Sequence, residues 1–157
     1  MKKLKIYLES TVFNRYFEPE RDCYDDILIL FKEIEKGNFE AYTSAYVINE
    51  LMDAIEPKRN DMLELIKQSK IISIDESDEA EALAEAYVVH NVITRPHYLD
   101  RLHLACATVN SLDAIISFNF SHINRKKTKE LSEYVNKLNG FEKIYIGTPM
   151  EVIEYEE

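Results

Sequence analysis

Four side chains with hard oxygen donors stand where an α/β chain could bring them together: Glu9, Glu50, Asp100 and Asn119. Glu9 follows the apolar run Leu4–Leu8, and Asn119 follows a second such run at 113–118. Glu50 and Asp100 sit at or near the starts of two helical segments. In an open parallel sheet the ligand crevice lies beyond the carboxyl ends of the strands, so residues placed just after strands face it. Carboxylates crowded there repel one another unless a cation neutralises them. Oxygen ligands without thiolates select Mg²⁺ or Mn²⁺ over zinc or copper. A cation so held can activate water and offset charge building on a phosphoryl group.

Each residue also has a purely structural reading. Glu9 could serve the dipole of the next helix, Glu50 could be an exposed helical glutamate, Asp100 a helix cap and Asn119 a turn residue. Burying a lone acid at a strand end without a cation is costly, which favours the site reading for Glu9. Asp113 precedes its strand and reads as a loop acid. His103 lies three residues after Asp100 on one helix face and reads as a packed, hydrogen-bonded histidine. His122 reads as a helix-start or packing residue. No serine sits in a nucleophile elbow, and 3 glycines supply neither a P-loop nor a dinucleotide fingerprint.

The elements that must position these groups alternate. After Leu4–Leu8, Ser10 or Thr11 can cap a short helical turn, and Asp22 reads as the cap of a helix stopped by Gly37 and Asn38. Residues 39–43 suit a strand, and Ser44 caps the helix carrying Glu50, which Pro57 should end. A helix over 60–70, a strand over 71–74 and an Ala- and Glu-rich helix over 77–90 follow. Pro96 breaks the chain before a helix over 99–110. A strand over 113–118, a basic helix over 125–139 capped by Gly140, and a strand over 143–146 complete the pattern. Strands alternating with helices imply parallel pairing with helices on both faces, a three-layer α/β/α sandwich.

The chain has 157 residues, the length of one domain spanning 1–157, with 46% hydrophobic and 31% charged residues. Cys23 and Cys106 match no zinc or redox spacing and read as small buried hydrophobes in a reducing cytoplasm. Glu9 interrupts the first apolar stretch before it could serve as a signal peptide, and no run reaches a membrane span. A net charge of −10 argues against nucleic-acid binding by bulk electrostatics, although bound divalent cations reverse the sign locally. The acids at 151–157 read as a solubilising tail.

The sequence resembles the PIN domain family, in particular the toxin-like ribonucleases of prokaryotic toxin–antitoxin pairs. The likeness lies in Ile6-Tyr7-Leu8-Glu9-Ser10-Thr11-Val12-Phe13, Thr43-Ser44 with Asn49-Glu50-Leu51, and Tyr98-Leu99-Asp100-Arg101-Leu102-His103. It continues in Asp113-Ala114-Ile115-Ile116-Ser117-Phe118-Asn119 and Ile146-Gly147-Thr148-Pro149, in the family's order and over nearly the whole chain. The resemblance implies that Glu9, Glu50 and Asp100 face the metal, with Ser10 or Thr11 supporting them. It also implies cleavage of RNA phosphodiesters with Mg²⁺ or Mn²⁺, a homodimer, and an antitoxin that blocks the acidic pocket. Two positions depart from the family: its first acid is usually Asp where this chain has Glu9, and a fourth Asp often stands at Asn119.

The basic run Arg125-Lys126-Lys127-Thr128-Lys129 is then the candidate for steering RNA. A metal-dependent endoribonuclease is the leading expectation. A PIN-like fold retained as a binding or assembly module without cleavage is the alternative, and a phosphatase is disfavoured because the first strand lacks paired aspartates and a nucleophile.

Overall fold

The run Leu4–Leu8 forms β1, and its apolar residues Ile6, Tyr7 and Leu8 are fully buried because both faces of the strand are covered. The computed structural model describes residues 2–156, with side chains through Glu154. The other strands are β2 (Phe39–Ser44), β3 (Ile72–Ile74), β4 (Ala114–Ile116) and β5 (Tyr145–Gly147). They make one five-stranded sheet in the order β3-β2-β1-β4-β5, every pair parallel. Ile6 pairs with Ala41 on one side and Ala114 on the other, so β1 is the central strand.

The helices are α1 (Ser10–Tyr16), α2 (Tyr24–Glu35), α3 (Ala45–Leu51), α4 (Lys58–Gln68), α5 (Asp78–Val89), α6 (Tyr98–Val109), α7 (Lys126–Leu138) and α8 (Pro149–Glu156). The chain runs outward from β1 to β2 and β3, then returns across the sheet to β4 and β5. With right-handed crossovers, this reversal puts the earlier connections on one face and the later ones on the other. Accordingly α2 packs on α1 and α8, whereas α5 packs on α6 and α7. The three-layer α/β/α arrangement expected from the alternation is present. The point where strand order reverses lies between β1 and β4.

Local chemistry sets most of the boundaries. Ser44 accepts the Val47 N–H at 3.2 Å and Ser77 accepts the Ala80 N–H at 3.1 Å, capping α3 and α5. Gly37 and Gly140 take positive φ after α2 and α7, as a glycine-closed helix end requires. Several expectations are corrected. The cap position of α2 is Cys23 at φ 68, not Asp22, and Cys23 is exposed while Cys106 is buried. Helix α3 ends at Leu51, and Pro57 instead stands at the start of α4, where a missing N–H costs nothing.

Strand β4 is shorter than 113–118; at its flanks Asp113 Oδ2 accepts the Lys5 N–H at 2.8 Å, and the Ser117 hydroxyl turns to Glu9. The tail is a helix, not a solvated run: Val152 of α8 is fully buried and α8 packs on α2. Its last residue, Glu157, lies outside the described residues. No described helix is long and apolar enough to cross a membrane.

Away from the crevice, Tyr87 of α5 is fully buried and its hydroxyl donates to Asn136 Oδ1 of α7 at 2.6 Å. Burial pushes its phenol well above the ordinary range. Tyr87→Phe leaves that buried acceptor unpaired, so it is expected to lower the unfolding free energy by about 1–3 kcal/mol. The change should appear as a lower urea midpoint at an unchanged m value.

Candidate active site

Glu9 emerges from β1 at the reversal between β1 and β4, where ligand crevices form in open parallel sheets. Its N–H still reaches Ile116 O at 3.2 Å, so the residue is fixed by the sheet before its side chain is considered. The carboxylate is 1% exposed. Oε1 accepts from Thr11 Oγ1 and Ser117 Oγ, each at 2.6 Å, and Oε2 accepts from Ser10 Oγ at 2.6 Å. These donors come from both sides of the reversal, α1 and the segment after β4. Glu9 occupies the cap position of α1, but its side chain makes no capping bond.

Glu50 reaches the same place from α3. It is half-buried; Oε1 lies 2.8 Å from His103 Nε2 and Oε2 lies 3.0 Å from Ser10 Oγ. Burial pushes its carboxyl up, but the His103 hydrogen bond and charge outweigh that, and the net shift is downward. The fully buried His103 continues the chain inward, with Nδ1 at 3.0 Å from Tyr7 Oη. Tyr7 Oη in turn lies 2.7 Å from Ser44 Oγ, the group that accepts the Val47 N–H. The reading of His103 as packed and hydrogen-bonded agrees with this position, and its partner is an acid of the site.

Asp100 lies in the first turn of α6 and groups differently. The ligand atoms of Glu9, Glu50 and His103 lie within 4.8 Å of one another, while Asp100 forms a second cluster of the same span with His97 and His122. The two clusters are near enough for the charge of Glu9 to act on Asp100. Burial first, and then Glu9, push its carboxyl upward, against a hydrogen bond from the Asn119 amide. Asn119 also accepts the His122 N–H through Oδ1 at 3.0 Å. Its neutral amide therefore serves two neighbours, one as donor and one as acceptor.

The basic run is only partly committed to the fold. Arg125 is held by Thr128 Oγ1 at 2.9 Å and by Val92 O at 3.2 Å, Lys126 pairs with Glu130 at 3.9 Å, and Lys127 is exposed. The sequence reading missed Ser117, His97 and the role of His122. Ser117 stands at a strand end two residues before Asn119, and His97 precedes Asp100 by one helical turn. Both positions carried a signal.

The donor set suits a hard cation. Ser10 has one hydrogen to share between Glu9 Oε2 and Glu50 Oε2, at 2.6 and 3.0 Å. With both carboxyls ionised, one of those contacts lacks a hydrogen, and a cation or an added proton relieves it.

No family model and no curated protein sequence matches the chain. Solved structures do. The sarcin–ricin-loop-cleaving toxin VapC20 of Mycobacterium tuberculosis superposes with a TM-score of 0.57 at 10% identity, over 88% of this chain and 98% of that one. VapBC2 of Rickettsia felis, solved bound to a DNA fragment from its promoter, gives 0.56 at 13% identity, over 91% and 97%. At these identities the likeness carries the fold, and the fold is PIN-like.

A carboxylate at Glu50 can only accept, so His103 Nε2 should carry the hydrogen and Nδ1 should accept from Tyr7. Long-range ¹H–¹⁵N spectra at pH 8 are expected to show that tautomer for His103. The opposite tautomer would mean that the chain of bonds from Tyr7 to Glu50 runs the other way.

Proposed function

We propose that the crevice is the active site of a divalent-metal-dependent endoribonuclease, with Glu9, Glu50 and Asp100 holding Mg²⁺ or Mn²⁺. The observation that carries this reading is a 1% exposed carboxylate, Glu9, whose ligand atoms lie within 4.8 Å of those of Glu50 and His103 at the sheet's reversal point. The bound cation would supply a water of lowered pKa and a counter-charge for the phosphoryl oxygens. Ser10, Thr11 and Ser117 fix the orientation of Glu9, and His103 holds Glu50 ionised. Asn119 orients Asp100. RNA as the substrate class draws support from the activity in the name of VapC20. An antitoxin and a homodimer are the partners this reading brings with it.

Asp100→Ala is expected to reduce Mn²⁺-dependent RNA cleavage by at least ~100-fold, on the scale of losing a group that holds a metal or its orientation. Circular dichroism should stay unchanged. Cleavage at the parent rate would remove Asp100 from the machinery.

Among the basic residues, Lys126 and Lys127 lie on the exposed face of α7. The double substitution Lys126→Glu with Lys127→Glu is expected to raise KM with little change in kcat and to flatten the salt dependence of kcat/KM. An unchanged salt slope would place the RNA path elsewhere.

A second reading keeps the fold as a binding module without cleavage. It is favoured by the net charge of −10 and by the three hydroxyl donors that already satisfy Glu9 without a cation. Purified protein that binds no divalent cation and leaves RNA intact would support it.

A further inference from the structure

His97, Asp100 and His122 form the one cluster among the described residues that offers two imidazoles and a carboxylate together. The rings of His97 and His122 stack with centroids 3.6 Å apart and planes 26° from parallel. All three residues are half-buried, at the edge of the crevice and open to solution on one side. Among the described residues no hydrogen bond from another side chain or from the backbone reaches either imidazole; the bond at His122 is made by its backbone N–H. Core packing does not account for the pair, since neither ring is buried. Two aromatic nitrogen bases are thus held face to face beside an acid, with ring nitrogens that nothing else uses.

We propose that His97, Asp100 and His122 are a binding site for a first-row transition-metal dication of the zinc type, distinct in selectivity from the oxygen-rich Glu9–Glu50 pair. Imidazole nitrogen favours Zn²⁺, Co²⁺ and Ni²⁺ over Mg²⁺, which takes oxygen ligands and keeps its waters. Two histidines and one carboxylate leave the remaining coordination positions open to solvent or to a ligand. The three donor atoms already lie within 4.8 Å of one another. Ligand atoms around one zinc are about 3–3.5 Å apart, given bond lengths near 2.0–2.2 Å, so the site is completed when the two imidazoles turn out of their stack and aim their in-plane nitrogen lone pairs at one point.

The backbone is arranged to allow that closure. His97 occupies the cap position of α6, Asp100 follows in the first turn, and His122 lies in the turn between β4 and α7. Asn119 ties the two segments together, holding Asp100 by its amide and the His122 N–H by its carbonyl oxygen. Such outer partners fix the direction of metal ligands. Asp100 is also one of the acids of the proposed Mg²⁺ or Mn²⁺ site, so zinc bound here would take up a group that site needs. The zinc site itself stands whether or not the protein cleaves RNA.

The test is binding of Zn²⁺ alone, without RNA, by isothermal titration calorimetry on the full chain. The parent is expected to bind one equivalent, and His97→Ala and His122→Ala are each expected to weaken it at least tenfold. Glu50→Gln should leave it within twofold, because Glu50 lies in the other cluster. Excess Mg²⁺ should not displace the zinc. In the parent, NMR should show the imidazole signals of His97 and His122 shifting together on zinc addition while those of His90 stay fixed. This second readout holds even if a variant fails to fold. Zinc binding that survives both histidine substitutions, or signals of His97 and His122 that do not move, overturns the site. A parent protein that binds zinc but leaves RNA intact with Mg²⁺ or Mn²⁺ would instead count against the ribonuclease reading alone.

Discussion

The structure depends on keeping the Glu9 carboxylate almost fully out of water at the centre of the sheet. An isolated carboxylate in such a place carries a desolvation cost far larger than a domain's margin of stability. Ser10, Thr11 and Ser117 offset it with three hydrogen bonds of 2.6 Å to its two oxygens. Those bonds also pin the ends of β1 and β4 to the start of α1. Thr11 binds the Phe118 N–H and Ser117 binds the Asn119 N–H, so two of the three hydroxyls that serve Glu9 also shape the loop after β4. The position of the acid and the path of the loop are one constraint.

From that constraint the crevice divides in two. Towards α3 lie Glu9, Glu50 and the buried His103; towards α6 lie Asp100, His97 and His122. Asn119 stands on the second side, and its chemistry explains why an amide suits it. It must donate to Asp100 and accept from the His122 N–H, which a carboxylate could not do while ionised. An aspartate there would add charge next to an acid already pushed upward by Glu9. The departure from the family's usual residue is therefore consistent with a crevice whose second half is built from nitrogen as well as oxygen.

Much of this was legible in the sequence, for definite reasons. The central strands β1 and β4 lay in apolar runs, and Ser44 carried its helix cap in plain view. Glu9 stood out because it follows an apolar strand and Asp100 because it opens a helix, whereas Glu50, expected near a helix start, lies near the end of α3. What sequence patterning could not supply was pairing at a distance. Nothing in the chain announces that Ser117 faces Glu9 across more than a hundred positions, or that the His97 and His122 rings stack. The side-chain bonds beside β4 escaped for the same reason: residue type alone does not tell that Asp113 takes the Lys5 N–H or that Ser117 turns to Glu9. Cys23 was misread because residue type suggests burial, whereas a cap position at positive φ leaves it exposed.

The overall charge of −10 sets the remaining problem, since a polyanion must approach an acidic protein on the proposed reading. At physiological salt, exposed charges beyond about 8 Å are largely screened, so the distant acids matter less than those at the crevice. There the local balance differs from the whole. The guanidinium of Arg15 sits 4.5 Å over the Phe118 ring, on the helix that begins beside Glu9. Arg125 lies close enough to His122 to oppose its protonation, with burial the larger cause of that downward shift. Each dication held by the acids adds two further positive charges at the place where they act at shortest range. The sign of the field at the reacting position is then decided by metal occupancy. Composition alone would predict repulsion, and only the geometry of the acids shows how that repulsion can be reversed.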